Sequence, residues 1–478
     1  MFDLASAAVE GALAAGAAYA DARAMITREE RIDCLNTVVE SLDQTENAGI
    51  GVRALIGSSW GFYATSETTE AAARSAGEQA AAIARASATV PGPHIELADV
   101  VVSEAHWENE VEEDPFSIPL STKADLLVAA TATMAEIEGV ALARGEMGFF
   151  RTEKYFVSSQ GHRISQTITE SGGGISATAV GESETQRRSY PQAFGQYETS
   201  GFETIHRFDF VGNAARIAEE AVQLLAAPQC PQVTSDLILG SSQLALQIHE
   251  SVGHAIELDR ILGWEAAFAG TSFLDLSDLG SLQYGSSLMN ITADATLAGA
   301  LGSFGFDDEG TPAQRIDIVK EGVWVGVLTG RDSASIAGLS PGGMVRGDGY
   351  NRLPMVRMTN VGLLPGDSSL EEIISETKDG VFMSENRSWS IDDRRLNFQF
   401  GCEIGWEVKN GKLGRMVRNP TYTGITPQFW GSLDMLAGES EIIYWGTPNC
   451  GKGQPMQVGH TGHPAAPARF RDVRIGIR

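Results

Sequence analysis

Apolar and polar positions alternate with two different periods along this chain, and the switches between them outline its elements. Residues 2–17 are rich in alanine and predict a helix. Three strand-like runs follow over 19–66, separated by turn residues. A second alanine-rich helix is predicted over 68–87, with Glu70 near its positive N-terminal end. Residues 88–120 lose the pattern: they hold Pro91, Pro93, Pro115 and Pro119 and an acidic run from Glu108 to Asp114, the marks of a connector. A helix over 121–139 then leads into a long alternating stretch to about 205, broken at 172–174 and 189–192, as an antiparallel meander would be. A helix over 208–226 closes this half, and Pro228 and Pro231 mark a boundary.

Beyond that boundary, the strand-like run 236–240 feeds a helix on which Leu244, Ile248, Val252 and Ile256 recur every four residues. Ser241 or Ser242 is placed to cap its start. The rest is Gly-rich and strand-like. Hairpins are predicted over 316–330, turning at Glu321-Gly322, and over 405–417, turning at Asn410-Gly411, with a short helix over 369–377. The expected fold class is α+β. An N-terminal α/β domain, with antiparallel strands flanked by helices, precedes a β-rich C-terminal domain that carries the 244–256 helix. The expected divisions are a helix–strands–helix unit at 1–87, a connector at 88–120, a middle α/β segment at 121–229 and the C-terminal domain at 230–478.

Composition narrows the function classes. The chain has 478 residues, 43% hydrophobic and 20% charged, which is ample material for a large core. A formal charge of -27 repels phosphate backbones, and Arg187-Arg188 and Arg394-Arg395 are only pairs, so nucleic acid is not an expected partner. Four cysteines without a C-x-x-C fit a reducing home better than a disulfide framework. The N-terminal apolar run carries Asp3 and Glu10 with no Lys or Arg ahead of it, unlike a secretory signal, and no run is long enough to span a bilayer. A soluble, cytoplasmic protein without a membrane partner is expected.

Candidate chemistry sits on the 244–256 helix, in His249-Glu250-Ser251-Val252-Gly253-His254. Two neutral imidazoles and an adjacent carboxylate are what a zinc hydrolase needs to hold an ion and handle the proton of its water. In H-E-x-x-H the histidines stand four apart on one face. Here they stand five apart and would diverge by about 140° on a regular helix. A π-bulge would bring them back together, with Gly253 as the place where the backbone yields. The bland alternative is a helix with incidental histidines.

A catalytic zinc usually takes a third protein ligand. Cys450, Cys402, Glu257, Asp259, His460 and His463 all qualify by chemistry, and local spacing does not choose among them. Cys450 lies in a Gly/Pro-rich loop over 446–455 where a small thiolate has room, although a buried apolar cysteine is the ordinary alternative.

The hexapeptide, together with the segments 305–315, 352–374 and 449–476 and the N-terminal helix–strands–helix block, resembles the TldD/PmbA family over nearly the whole chain. The resemblance implies a metalloprotease acting on small or unfolded peptides. Because this chain keeps H-E-x-x-x-H and a downstream cysteine, it looks like the active, TldD-like branch and not the sister branch that lacks them. Carried over by position, His249 and His254 are ligands of Zn²⁺, Glu250 is the general base and Cys450 is the third ligand. Expected partners are a peptide or unfolded-protein substrate and either a PmbA-like sister subunit or a second copy of the chain. The competing readings are a non-catalytic binding or regulatory subunit and a zinc hydrolase acting on another amide.

Around the hexapeptide, Asp259 and Glu257 are both candidates to orient an imidazole N–H, Asp259 the stronger; the ordinary reading of Glu257 is a carboxylate at a helix end facing water. His460 and His463 read as structural or exposed. Tyr350 and Arg352, in a Gly-rich loop, are the candidate oxyanion donors. A β-rich domain beside a metal would receive an extended peptide as an added strand.

Overall fold

The structure is a computed structural model that describes residues 1–476 apart from 91, 93, 269 and 454; Pro91 and Pro93 of the expected connector lie outside the described residues. Eight strands form the first sheet: β1 (Tyr19–Leu35), β2 (Val38–Ile56), β3 (Ser59–Thr65), β4 (Glu104–Glu108), β5 (Val140–Ser158), β6 (Arg163–Val180), β7 (Thr185–Tyr190) and β8 (Gln196–Glu198). Their order is β3-β2-β1-β5-β6-β4, with β7 and β8 also pairing β6. All pairings are antiparallel except β4 with β6. The proline-rich stretch expected to be a connector therefore contributes a strand.

Helices α1 (Phe2–Ala14) and α2 (Glu70–Ser87) pack on β1–β3 through alanines: Ala5, Ala8, Ala12, Ala73, Ala76 and Ala80 share one buried cluster with Ala22, Ile50 and Val52. Such small side chains let backbones approach closely. A Cβ at Gly77 would lie 2.0 Å from the Ala8 carbonyl oxygen, which is why glycine stands there. Thr69 caps α2 by accepting from the Ala72 N–H at 3.2 Å. Helices α3 (Leu120–Ala135), α4 (Glu203–Phe208) and α5 (Phe210–Ala226) cover another part of the sheet with a larger-residue core around Leu127, Phe149, Phe202 and Ile217.

The second half begins with β9 (Val233–Leu239), α6 (Ser241–Ile248), a π turn at His249–Gly253 and α7 (Leu258–Ile261). It continues through β10 (Ile291–Asp294), β11 (Arg315–Lys320), β12 (Val323–Trp324), α8 (Arg331–Ala337), β13 (Val345–Arg346), β14 (Met355–Val356), β15 (Val361–Leu363) and α9 (Leu370–Ser375). The final elements are β16 (Asp379–Ile391), β17 (Asn397–Lys409), β18 (Lys412–Val417), β19 (Thr421–Ile425), α10 (Thr426–Gly431), β20 (Leu433–Leu436), β21 (Ile443–Gly453), β22 (Met456–Ala465) and β23 (Ala468–Ile475). Strands run β16-β9-β23-β19-β17, and β17 pairs β16 again, so the sheet closes into a barrel. Leu244, Ile248, Val252 and Ile256 are all fully buried in the same cluster as Leu237, Phe400, Tyr422 and Phe470. The expected mixture of an N-terminal α/β part and a β-rich C-terminal part is what the chain forms.

Both predicted hairpins are present, with left-handed φ at Glu321 (47°) and Gly322 (81°) and at Asn410 (49°) and Gly411 (75°). The 369–377 helix begins with a capping box between Ser369 and Glu372. One cap differs from expectation. Gly240 occupies the N-cap of α6 without a side-chain bond, because the Ser242 hydroxyl donates instead to Glu385 at 2.7 Å.

Buried charge ties the first sheet to the segment between β10 and β11. Arg23 meets Asp308 at 2.7 Å, Lys154 bonds the same carboxylate, and Arg53 bridges Asp21 at 2.6 Å and Glu309 at 3.0 Å. Among the described residues, no helix is long and apolar enough to cross a membrane.

Candidate metal centre

Helix α6 ends at Ile248, and the next turn is wound as a π turn in which the His254 N–H donates to the His249 carbonyl at 3.2 Å. A backbone that returns after five residues puts positions 249 and 254 on one side. The two imidazoles accordingly stand 4.9 Å apart between centroids and nearly perpendicular, at 88°. Gly253 does not yield through an unusual φ. It is small because Met358 crosses the turn: a Cβ there would lie 2.0 Å from Met358 Sδ.

Buried polar side chains hold this turn open. Tyr284 Oη donates to the Ser251 carbonyl at 2.6 Å, and Trp430 Nε1 and Gln247 Nε2 each donate to Ser251 Oγ at 2.9 Å. Each answers a group in a turn that departs from the α-helical ladder. None of these partners is near in sequence except Gln247.

Cys450 arrives on β21, not on the expected loop. The β21–β22 pairing slips between Thr447 and Cys450, so Pro448 and Asn449 bulge and Cys450 faces Gly459. Its Sγ lies 3.7 Å from His254 Nε2. His249, His254 and Cys450 offer one donor atom each, all within 4.8 Å of one another, and all three residues are buried. Of the six third-ligand candidates, Cys450 is the one whose donor atom joins those of both histidines in this cluster. Cys402 is buried in the barrel core, and His460 pairs with Glu170 at 2.7 Å.

Hydrogen bonds around the imidazoles fix which nitrogen carries a lone pair inward. His463 Nδ1 donates to the Val361 carbonyl at 2.9 Å, which leaves its Nε2 as an acceptor in the neutral ring. His249 Nδ1, 2.8 Å from that Nε2, must then be the donor, and His249 Nε2 is left with its lone pair. Burial keeps His463 neutral by pushing its pKa well below the usual histidine value. His254 Nδ1 donates to Glu257 Oε2 at 3.0 Å, so its Nε2 lone pair faces the sulfur. Burial also lowers the pKa of both His249 and His254, favouring the neutral ligand form.

Glu257 is thus not a solvent-facing carboxylate. Burial pushes its pKa up, but Lys452, His254 and Arg260 together overcome this and hold it well below the usual range. Lys452 Nζ lies 3.3 Å from Glu257 and 2.8 Å from both oxygens of Asp259. The imidazole contact expected of Asp259 belongs to Glu257 instead. Asp259 stands one step behind, pairing the lysine that charges Glu257, and burial raises its pKa to about 6 against the pull of Lys452. Burial likewise raises the Cys450 thiol, but Arg357 and His254 outweigh it and the net shift is downward.

Glu250 accepts from Arg395 Nη1 at 2.6 Å. Both line a cleft of about 380 Å³ with His249, His254, Cys450 and Asn449, walled by Phe194, Leu246, Trp389 and Ile391. Tyr350 and Arg352 do not reach it. Tyr350 packs against β2, where a Cβ at Gly49 would meet its ring at 2.3 Å, and the Arg352 carbonyl accepts from Arg23 at 2.6 Å. Sequence reasoning thus missed Arg395. It carried Glu257 and His463 as candidates, but with a solvent-facing carboxylate and a structural or exposed histidine as their ordinary readings.

Comparison with known proteins finds one family along the chain. The PmbA/TldA metallopeptidase domain 1 matches residues 20–84, the central domain matches 113–227 and the C-terminal domain matches 233–476. A metalloprotease of Methanocaldococcus jannaschii is 26% identical over 447 residues, covering 93% of this chain and 94% of that protein. A metalloprotease TldD homolog of Haemophilus influenzae is 30% identical over 268 residues, 55% of this chain and 53% of its own length. The fold matches TldE from Thermococcus kodakarensis with a TM-score of 0.71 at 15% identity, over 99% of this chain and 100% of that one. It also matches a Thermotoga maritima protein described as a modulator of a DNA gyrase, with a TM-score of 0.77 at 17% identity over 99% of each chain.

Proposed function

Because this chain belongs to the PmbA/TldD family, whose three domains it carries in order, we propose that it is a zinc-dependent peptidase. His249, His254 and Cys450 are the protein ligands and Glu250 is the general base. The observation that supports this reading most is the convergence of two imidazoles and a thiol within 4.8 Å beside a carboxylate in an open cleft. Two neutral imidazoles and a thiolate suit zinc and leave a fourth position for water.

A zinc ion bound there supplies Lewis-acid chemistry, polarising a carbonyl and making water acidic near neutrality. The other tasks fall to the chain's own residues. Glu257 and His463 orient the imidazoles so that both Nε2 lone pairs point inward. Glu250 takes a proton from the attacking water and delivers it to the leaving amide nitrogen. The walls of Phe194, Leu246, Trp389 and Ile391 shield the reacting bond from bulk water.

The substrates are small or unfolded peptides, received in extended form through main-chain hydrogen bonds. The protein works in the cytoplasm and pairs with a sister subunit of its family or with a second copy of itself. The test is metal analysis of the purified chain together with peptide cleavage with and without a chelator. Glu250→Gln is expected to keep its metal and lose about 10²- to 10⁴-fold in turnover. Undiminished turnover in that variant with metal bound removes Glu250 from its role. Stoichiometric zinc in Cys450→Ala removes the thiolate from the ligand set, and a chain that binds metal but cleaves no peptide is a regulatory subunit.

A further inference from the structure

The residue that answers the negative charge developing on the scissile carbonyl has still to be found, and Arg395 is where the geometry points. We propose that the Arg395 guanidinium, resting on the peptidase reading above, is the electrophilic catalytic residue that hydrogen-bonds the carbonyl oxygen as it becomes an oxyanion.

Arg395 is the sole Lys or Arg lining the metal cleft among the described residues. It lines the same cleft as both imidazoles and the Cys450 sulfur, and it holds Glu250 directly. Among the described residues, only one of its guanidinium nitrogens has a partner: Nη1 donates to Glu250 at 2.6 Å, whereas the buried Nε and Nη2 make no bond. A planar fork anchored at one nitrogen leaves its neighbouring donor at a fixed angle, suited to a second oxygen beside the first.

The backbone beneath it is held in an unusual state. Arg395 has φ 63°, a left-handed conformation that disfavours a residue with Cβ, in the turn between β16 and β17. Asp392 fixes that turn by accepting from the Leu396 N–H at 2.8 Å and the Asn397 N–H at 3.0 Å. From outside, Thr426 Oγ1 donates to the Arg395 carbonyl at 2.8 Å, and the Arg394 carbonyl accepts from the Phe273 N–H at 2.8 Å. A strained turn tied on both sides aims one side chain into one place, which is what preorganised charge stabilisation requires.

The step balances without further reagents. The water oxygen forms a bond to the carbonyl carbon, and the π pair moves onto the carbonyl oxygen, where Arg395 donates a hydrogen bond but no proton. The water proton passes to Glu250 and then to the amide nitrogen; the oxyanion pair re-forms the C=O bond as the C–N pair leaves with the nitrogen, giving an acid and an amine. In the resting cleft the same guanidinium neutralises Glu250, so base and electrophile are kept in register before substrate arrives.

The experiment uses the full-length zinc-loaded protein, Arg395→Met and Arg395→Lys, and two peptides that differ only in a free or an amidated C-terminus. We expect Arg395→Met to lower kcat about 10²- to 10³-fold on both peptides with KM changed by less than about threefold, and Arg395→Lys to retain part of the rate. Zinc content and Tm should match the wild type. Binding of a phosphinic peptide, a tetrahedral mimic, should weaken in Arg395→Met by a factor similar to the loss in kcat. Wild-type cleavage with kcat unchanged in both variants overturns the inference alone. A loss confined to the free-carboxylate peptide overturns it in favour of a terminal-carboxylate clamp, and a loss that tracks missing zinc overturns it as a structural effect. No cleavage by the zinc-loaded wild type overturns the peptidase reading first and this one with it.

Discussion

Two clusters of buried charge occupy this molecule, and they end differently. Where the first sheet meets the segment between β10 and β11, Arg23, Lys154 and Arg53 answer Asp308, Asp21 and Glu309, with every one of these side chains at most 8% exposed. Each carboxylate there faces a cation, and the remaining bonds go to backbone groups of Arg331, Gly347 and Arg352 and to the Tyr19 hydroxyl, none of them a metal-ligating side chain. Behind the metal cleft, Asp259, Lys452 and Glu257 are just as buried, but the chain of charges runs on into His254 and stops at an Nε2 lone pair facing a sulfur. Burying paired charge is energetically near neutral, so its presence alone says little. What separates scaffold from site is whether the last member is left with an unanswered donor atom.

If that distinction is right, breaking the first cluster should damage stability and spare the chemistry. Asp308→Ala strands Arg23 and Lys154 without a carboxylate, and removing one partner of a buried pair costs about 3–5 kcal/mol. Urea unfolding should show that loss, while zinc affinity of the folded fraction stays at the wild-type value. A variant with wild-type stability and weakened zinc binding would merge the two clusters into one.

A further buried carboxylate, outside both clusters, sharpens the point, because its compensation is incomplete. Glu385 accepts from Ser242 at 2.7 Å, yet its Oε2 is buried without a partner. Burial, opposed by Arg188, raises its pKa from 4.5 to about 7. The folded chain therefore holds this proton more tightly than the unfolded one. The stabilisation is complete below about pH 4.5 and is lost as pH rises to about 7, on the order of 3 kcal/mol in all. Glu309 is also raised to about 7 by burial and adds a slope of the same sign, so the difference between wild type and Glu385→Gln isolates one group. The urea midpoint should fall less steeply between pH 5 and 8 in the variant, and parallel curves would deny Glu385 its raised pKa.

In the second cluster the same isosteric change should have the opposite signature. Glu257→Gln keeps the shape but replaces a carboxylate acceptor with a neutral amide, and changes of this kind weaken metal binding about 10- to 100-fold. Competition with a chelator measures this directly. Equal zinc affinity in the variant would mean that the carboxylate does not govern the imidazole.

Legibility in the sequence divides along the same line as locality. Helix α6 and the histidines of the turn that follows it were readable because hydrophobic period and motif lie within one turn of each other. The five-residue spacing even called for the π turn that the backbone makes. The partners were not readable, since His254 meets a cysteine 196 positions away and His249 meets a histidine 214 away. Glu257 was misjudged because a carboxylate at a helix end is ordinarily wet; the lysine that keeps it ionised while buried sits on β21. Asp259 shows the converse, with the right residue type and neighbourhood but a lysine where an imidazole was expected. Strand β4 was hidden because its exposure alternates only between intermediate and exposed, so no buried side chain marked it within a proline-rich stretch.

The smallest effect should come where the same chemistry sits in water. Glu10 on α1 and Arg74 on α2 pair at 2.8 Å, the distance seen between Lys452 and Asp259, but their side chains are 62% and 48% exposed. Water already solvates both ions, and ordering two long side chains offsets most of the attraction, so a pair of this kind contributes about 0.5 kcal/mol or less and fades with salt. A double-mutant cycle on Glu10→Ala and Arg74→Ala should give a coupling in that range at low ionic strength and almost none in concentrated salt. Distance is matched between the exposed and buried pairs, so burial is the variable that differs. A coupling of several kcal/mol between Glu10 and Arg74 would show that proximity alone sets the strength of these pairs. The contrast between scaffold and site would then lose its physical basis.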